Sequence, residues 1–433
     1  MRERKLQEGY MNRTQAPEIK LIEQLTLPEF ILIHLDNGVP VYIINEGEQD
    51  VVKLELMFKA GKWFEEKNLV ADYTNRMLRE GTAKLNAKAI ADKFDFYGAN
   101  INTGVGYESG GAVLYSLTKQ VDHLLELLFE IFTESTFPER EFETLVSNRK
   151  QKFAVELKKN EYLANRNFVN ALYGQNHPYG RVTEFEHFDQ MNTTDLKTFF
   201  KKYYHASNLT IILSGKFDEG LIQKINQFFG AKSWTGEKAN ENITHNIEPA
   251  KELIQHTEKA DSVQSAVVLG NLSINKKHPD FLKLSVLNTV FGGYFGSRLM
   301  SNIREEKGYT YGIYSSFVSY PHGGFIEIAS EVGKEVREAT LNEIKFELNQ
   351  LRNELIGEEE LQIVKNYMSG RILRSIDGPM KFSETLKGLI LYNQDVSYIQ
   401  QLLKTVREVS SAELLELANK YLDYDKMYKI TVG

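Results

Sequence analysis

The sequence predicts an α+β protein built from two similar, duplicated domains, each a mixed or antiparallel sheet with packed helices. The chain has 433 residues, two to three times the usual domain length, so a single small core cannot account for it. Segments that alternate apolar and polar residues are interleaved with segments of helical spacing. Residues 192–215 (NTTDLKTFFKKYYHASNLTIILSG) also lie without a gap over residues 410–433 (SSAELLELANKYLDYDKMYKITVG), residue 192 meeting residue 410 at an offset of 218. Leu196, Lys202, Tyr203, Ile212 and Gly215 meet Leu414, Lys420, Tyr421, Ile430 and Gly433. Each copy reads as a helix, a polar turn and a strand, and the offset is about half the chain.

Taken in order, residues 39–44 read as a strand entered by the turn Asp36-Asn37-Gly38. Val52, Leu54, Leu56 and Phe58 alternate with Lys53 and Glu55, which predicts a strand with one face buried. Leu69, Val70, Tyr73, Thr74 and Met77 follow helical spacing over residues 68–80, with Gly81 as a natural stop. A second helix over 87–97 closes at Gly98, a strand pair surrounds Gly110-Gly111, and amphipathic helices run over 121–132 and 139–160. PEREF at 138–142 corresponds to GEEEL at 357–361. Residues 231–250 (AKSWTGEKANENITHNIEPA) are polar and aperiodic, an interdomain linker that divides the chain into domains 1–230 and 251–433.

Composition removes several function classes. The 52 Lys+Arg against 59 Asp+Glu give a formal net charge of -7, which offers no global attraction for nucleic acid or an anionic membrane. There is no Cys, so disulfides, thiol nucleophiles and cysteine zinc knuckles are excluded. No run of about 18 apolar residues occurs, hence no expected bilayer-spanning helix. The basic N-terminus lacks an apolar stretch behind it, so it does not read as a secretory signal; Met11 is an alternative start. Cytoplasmic location is the default expectation, periplasmic if further sequence precedes it.

Nine His remain as the metal-binding resource. Ligands on one helix need to lie three or four residues apart to share a face. His177 and His187, the nearest pair that could share an element, are ten apart, so the chain has no H-x-x-E-H. The helix over 68–80 instead carries Asp72, Asn75, Arg76 and Arg79 on one face. Taken alone, these residues read as a solvated or salt-bridged surface.

The segment FKAGKWFEEKNLVADYTNRMLREGT resembles the insulinase/pitrilysin-like metallopeptidases, in particular the two-subunit branch that contains the processing peptidases. In that family a strand and a Gly-containing turn lead to a helix bearing H-x-x-E-H, followed by Met and then Gly-Thr. The resemblance places Asp72 at the first His, Asn75 at the catalytic Glu and Arg76 at the second His, with Met77, Gly81 and Thr82 in register. The third ligand, a Glu on a later helix, falls on Glu156, at an interval a few residues longer than the family's, or on Glu161. Arginine has no lone pair and stays protonated, so a fixed positive charge stands where zinc would sit. Asn75 cannot serve as a general base, and Asp72 with Arg76 is suited to an i,i+4 ion pair. ALYGQNHPYGR at 171–181 and YGANINTGVGYES at 97–109 match further stretches of the family and mark its fold.

In the second half, GGYFGSRLMSNIREEKGYTYGIYSS resembles the family's C-terminal motif, a glycine turn, Ser-Arg-Leu, a helix, then Arg and Tyr seven residues apart. Arg304 and Tyr311 fit that pair, and Gly292 and Gly293 fit the glycine turn. The resemblance implies that these residues hold the substrate's backbone carbonyl, for which guanidinium and phenol donors are chemically suited. On spacing alone, Arg304 also fits the end of a helix closing at Gly308, and Tyr311 fits a strand aromatic beside Tyr309 and Tyr314. A phosphate loop is not indicated, because Gly-Lys-Ser/Thr is missing. Loss of the zinc half-site with retention of the substrate half-site implies a non-catalytic subunit that works with an H-x-x-E-H partner. It implies no cofactor in this chain, zinc in the partner, a peptide substrate, and a homodimer as the form open to the isolated chain. A structural or assembly subunit and an autonomous metallopeptidase are the alternatives.

Overall fold

Alternation along the strands sends successive side chains to opposite sides, and here both sides are apolar enough to be covered. The computed structural model describes Thr14 and residues 25–433; the basic N-terminus and Met11 lie outside the described residues. In the first half, strands β1 (Ile31–His34), β2 (Pro40–Asn45) and β3 (Val51–Phe58) precede helices α1 (Val70–Met77) and α2 (Ala87–Phe96). Then come β4 (Asn100–Val105), β5 (Gly110–Leu117), α3 (Thr118–Thr133), α4 (Glu139–Glu156), α5 (Asn160–Tyr173), α6 (Phe185–Asp189), α7 (Thr193–Tyr203), β6 (Leu209–Gly215) and α8 (Glu219–Phe229). The second half runs β7 (Ile254–Thr257), β8 (Gln264–Leu272), α9 (Phe281–Phe291), β9 (Thr310–Tyr320), β10 (Gly323–Gly333), α10 (Arg337–Asn353), α11 (Glu358–Ser375), α12 (Gly378–Leu391), α13 (Ser397–Glu408), α14 (Ser411–Tyr421) and β11 (Tyr428–Val432).

The two sheets repeat one topology. The first has the order β1-β2-β6-β3-β5-β4 and the second β7-β11-β8-β10-β9. Without β1 they superpose strand for strand, including the parallel pairs β2/β6 and β7/β11 in otherwise antiparallel sheets. The repeat seen in sequence is also a repeat of structure. Helices α7 and α14 both run 11 residues, and their N-caps, Asn192 and Ser410, each accept from the backbone N–H three residues on. Strand β6 ends at Gly215 (φ 122°), and the chain after β11 ends at Gly433 (φ 139°). A Cβ on these would lie 2.1 Å from the Val51 oxygen and 2.4 Å from the Gln264 oxygen, the first residues of β3 and β8. Only glycine meets both the positive φ and the close approach.

Each sheet is covered on one side by its own helices and on the other by a helix from the opposite half. On β2, Val41 and Ile43 join the first core while Ile44 joins the second. On β8, Ala266 and Val268 join the first core while Val267 and Leu269 join the second. Helix α5 lies across β8 and β11, and α12 lies across β6 and β2. Both helices have 14 residues, and Asn160 and Gly378, their first residues, are again 218 apart. The expectation that β3 has a single buried face is therefore corrected. Lys53 and Glu55 are 1% and 2% exposed, because α12 covers them. Lys53 donates to Ser383 Oγ at 3.0 Å and pairs with Glu55 at 3.3 Å and with Glu384, while Lys387 pairs with Glu55.

Four further differences have local causes. The helix over 68–80 is shorter: Leu69 precedes it in the left-handed region (φ 77°), and the last helical residue is Met77. Gly81 does not cap it but forms a bridge with Asn86. The helix over 139–160 is two helices, α5 starting at Asn160, whose amide donates to Ser262 Oγ and the Gln264 oxygen. Gly110 and Gly111 lie within β5, and the preceding turn is closed by Gly106 N–H to Ser109 O at 2.7 Å. Residues 231–250 contain neither helix nor strand, yet they are strapped to the first half. Glu248 and Ala250 donate to the carbonyls of Tyr173 and Ala171, and Ala239 donates to Asn208 Oδ1. Among the described residues no helix is long and apolar enough to cross a membrane.

Candidate functional site

Helix α1 sits under the edge of the first sheet, and its register divides the polar cluster. Asn75 faces inward at 1% exposure. Its Nδ2 donates to the Gly111 carbonyl at 2.9 Å and to the Tyr204 hydroxyl oxygen at 3.2 Å. Arg76 turns outward and donates through Nε to Asp72 Oδ2 at 2.8 Å, a bond that raises the pKa of its guanidinium further. Arg79 donates to the Ile101 carbonyl at 2.8 Å. Burial pushes the phenols of Tyr73 and Tyr204 well above their usual range.

The residue of α4 that reaches this cluster is Arg149, whose Nη2 lies 3.8 Å from Asp72 Oδ2. Glu156 lies seven residues farther on, about 10 Å along the helix axis, and pairs with Lys159 at 3.0 Å. The placement of the third ligand on Glu156 is therefore corrected. Glu161 is no substitute, since it belongs to α5 and lines a cleft beside β8 and β9. Arg149 was missed at the sequence level. The overlong interval to Glu156 was the signal, because it called for a residue earlier on α4.

These residues do not fit zinc. Two guanidinium groups flank a single carboxylate, and the amide at the base position is committed to a backbone oxygen. Neither guanidinium can donate electrons to a metal. Among the described residues no group of three or more His, Asp or Glu is arranged to hold an ion.

The second-half residues are placed differently. Arg304 lies on the π-helical turn Met300–Glu306, its guanidinium over the Phe295 ring at 4.7 Å from the centroid. Tyr311, on β9, is 93% exposed, at the mouth of a cleft of about 420 Å³ whose wall includes Glu161, Tyr314 and Glu331. Arg304 does not line that cleft, so the fold brings the pair to one region without joining them in one pocket. β9 is an edge strand of its sheet. Gly292 and Gly293 form the turn after α9, and a Cβ on Gly292 would lie 2.6 Å from Ser315 N and Oγ. The turn docks on β9 through Ser315 N–H to the Gly292 carbonyl at 3.0 Å, while Asn288 Nδ2 donates to the Ser315 carbonyl at 2.9 Å and Ser315 Oγ donates to Asn288 Oδ1 at 2.8 Å. In this structure the two glycines serve close packing, Gly292 against Ser315 of β9 and Gly293 against Thr289 at the end of α9.

Two family profiles match in tandem: Insulinase (Peptidase family M16) over residues 41–183 and Peptidase M16 inactive domain over residues 190–368. The chain belongs to the insulinase, or M16, peptidase family. As an M16 chain it is a non-catalytic one, since none of the H-x-x-E-H side chains is present on α1. It is 27% identical over 352 residues to the Bacillus subtilis protein called uncharacterized zinc protease YmxG, covering 79% of this chain and 83% of that one. It is 24% identical to the non-peptidase homolog YmxG of Helicobacter pylori over 86% and 89% of the two chains. Among solved structures, the peptidase M16 inactive domain from Pseudomonas fluorescens matches with a TM-score of 0.85 and 28% identity, over 93% of this chain and 98% of that one. A Helicobacter pylori protease has the same fold, with a TM-score of 0.83 and 17% identity over 94% and 100%.

Proposed function

We propose that this M16 chain is the non-catalytic subunit of a heteromeric zinc peptidase, presenting Arg304 and Tyr311 to a peptide whose scissile bond lies in the H-x-x-E-H site of a partner chain. The observation that carries this reading is the contrast between the halves: α1 is closed by Asp72–Arg76 pairing and the Asn75 clamp, while Tyr311 stands 93% exposed on an edge strand. A peptide added to the β9 edge would be held by main-chain hydrogen bonds, with the phenol and guanidinium available to acyl oxygens. In this reading zinc resides in the partner, the chain itself needs no cofactor, and it works in the cytoplasm, or in the periplasm if a leader precedes it. The isolated chain would pair with itself through the face otherwise given to the partner.

The test is peptide hydrolysis by the chain alone, by the chain with an H-x-x-E-H partner, and by the partner with Arg304→Ala or Tyr311→Phe. Activity is expected only in the mixture, with either substitution lowering kcat/KM at least tenfold. Equal activity of the variants removes the substrate-binding role. It would favour the alternative, an assembly subunit with no part in hydrolysis, a reading supported by the non-peptidase name of the Helicobacter pylori relative. Stoichiometric zinc and hydrolysis by the chain alone would reject both.

A further inference from the structure

Arg304 is held by a ring rather than by an anion. Among the described residues its guanidinium pairs with no carboxylate and donates no hydrogen bond, although Glu305 and Glu306 follow it in the chain. Glu306 is taken by Lys307 at 2.9 Å. What the guanidinium meets is the face of Phe295, 4.7 Å from the ring centroid. Phe295 is itself 62% exposed, so the ring is not placed there by burial in a core.

The two backbones are anchored from behind. Phe295 lies in the turn after α9, closed by Ser297 N–H to the Tyr294 carbonyl at 3.2 Å, and the Tyr294 ring packs on Tyr367 of α11 at 4.9 Å between centroids. Arg304 lies on the π-helical turn, closed by Lys307 N–H to the Asn302 carbonyl at 2.9 Å. The Asn302 amide in turn donates to Glu343 at 3.0 Å and Glu347 at 2.8 Å on α10. The freedom that remains belongs to the long Arg304 side chain, and Phe295 limits it. An exposed arginine loses rotamer entropy when it grips a ligand. A ring already against the guanidinium lowers that loss without occupying the donors with another acceptor.

We propose that Phe295 is a positioning residue for Arg304, steadying the guanidinium while its N–H groups stay available to a peptide acyl oxygen. This rests on the substrate-binding role proposed above for Arg304, and adds to it a residue that acts through Arg304.

The test compares Phe295→Leu, Phe295→Tyr, Arg304→Ala and the double variant Phe295→Leu/Arg304→Ala in peptide hydrolysis with the H-x-x-E-H partner. Phe295→Leu is expected to lower kcat/KM about fivefold. Phe295→Tyr, which keeps a ring face, should match the unaltered chain, and Phe295→Leu should have no further effect once Arg304 is Ala. The stack is read separately in the chain alone, by NMR with 15N-labelled arginine. The ring current should shift the Arg304 Nε–H proton upfield in the unaltered chain and in Phe295→Tyr, and the shift should vanish in Phe295→Leu. Phe295 is exposed, so these variants keep the fold. Full activity of Phe295→Leu beside an impaired Arg304→Ala, or an equal loss from Phe295→Leu with and without Arg304, would overturn the positioning role and leave that of Arg304 standing. An Arg304 shift indifferent to Phe295→Leu would overturn it whatever the kinetics. A fully active Arg304→Ala is the separate result that removes the substrate-binding role, and the positioning role with it.

Discussion

Asn75 donates its side-chain amide to the backbone carbonyl of Gly111 at 2.9 Å, so the position that would carry a catalytic base is a clamp between α1 and β5. Replacing Asn75 by Glu turns a donor into a buried anion facing a carbonyl oxygen. Stability should fall by about 3 kcal/mol, the cost of a broken buried hydrogen bond plus an added charge. Urea unfolding reads this directly, and an unchanged midpoint would show that the clamp carries no load.

Restoring the helix motif alone should not restore a metal site. With Asp72→His, Asn75→Glu and Arg76→His combined, Arg149 still projects its guanidinium to the same place. Metal analysis of that triple variant should find little zinc per chain. Adding Arg149→Glu should raise it towards one. If Glu156 were the operative third ligand, the triple variant would already bind.

The buried charges between β3 and α12 should respond asymmetrically to deletion. Lys53→Met leaves Glu55 deprived of one partner at a site 2% exposed and should cost about 3–5 kcal/mol. Changing Lys53 and Glu55 together to apolar residues should recover much of that loss. Glu384→Gln, at a side chain about half exposed, should cost about 1 kcal/mol or less. Equilibrium denaturation of the three variants gives the comparison.

Acid should weaken the junction around Trp63. His177, His245 and His322 surround that indole, His322 stacked on it at 4.0 Å between centroids. Burial pushes His177 down to about 4 and lowers the other two. A depressed histidine gives its full contribution above the unfolded value of 6.5 and loses it as pH falls towards 4. Buried Glu65 works in the opposite sense, its pKa pushed up to about 7, so its contribution is full below 4.5 and fades as pH rises. The difference between proteins isolates the histidine. His177→Asn should show a smaller fall in Tm between about pH 7 and 4.5 than the unaltered chain, by calorimetry.

Much of this was legible in the chain. The repeat of 192–215 at 410–433 located matching helix, turn and strand, because N-caps and terminal glycines are local signals. The absence of H-x-x-E-H was equally plain, and Arg76 cannot ligate in any fold. What one sequence hides is which distant segment covers which face. Lys53 and Glu55 look like a solvent side because alternation reports polarity, and only the arrival of α12 makes them a buried network. Arg149 escaped for the same reason: its meeting with Asp72 depends on how α4 crosses α1, which the spacing within α4 does not fix. The glycines at 292–293 have the family's pattern, yet the contacts that require them are with Ser315 on β9 for Gly292 and with Thr289 on α9 for Gly293.

The exchange of α5 and α12 makes each half the lid of the other. It is the arrangement of a domain-swapped dimer whose two chains have been joined by the strap at 231–250. Neither half owns a finished core, so cutting the strap would yield two fragments that stay together rather than two free domains. The same mutual dependence separates architecture from chemistry. Any change of residues on the outer face of α1 leaves the demands of α5, α12 and both sheets as they were, so the form of the chain does not depend on what that face carries.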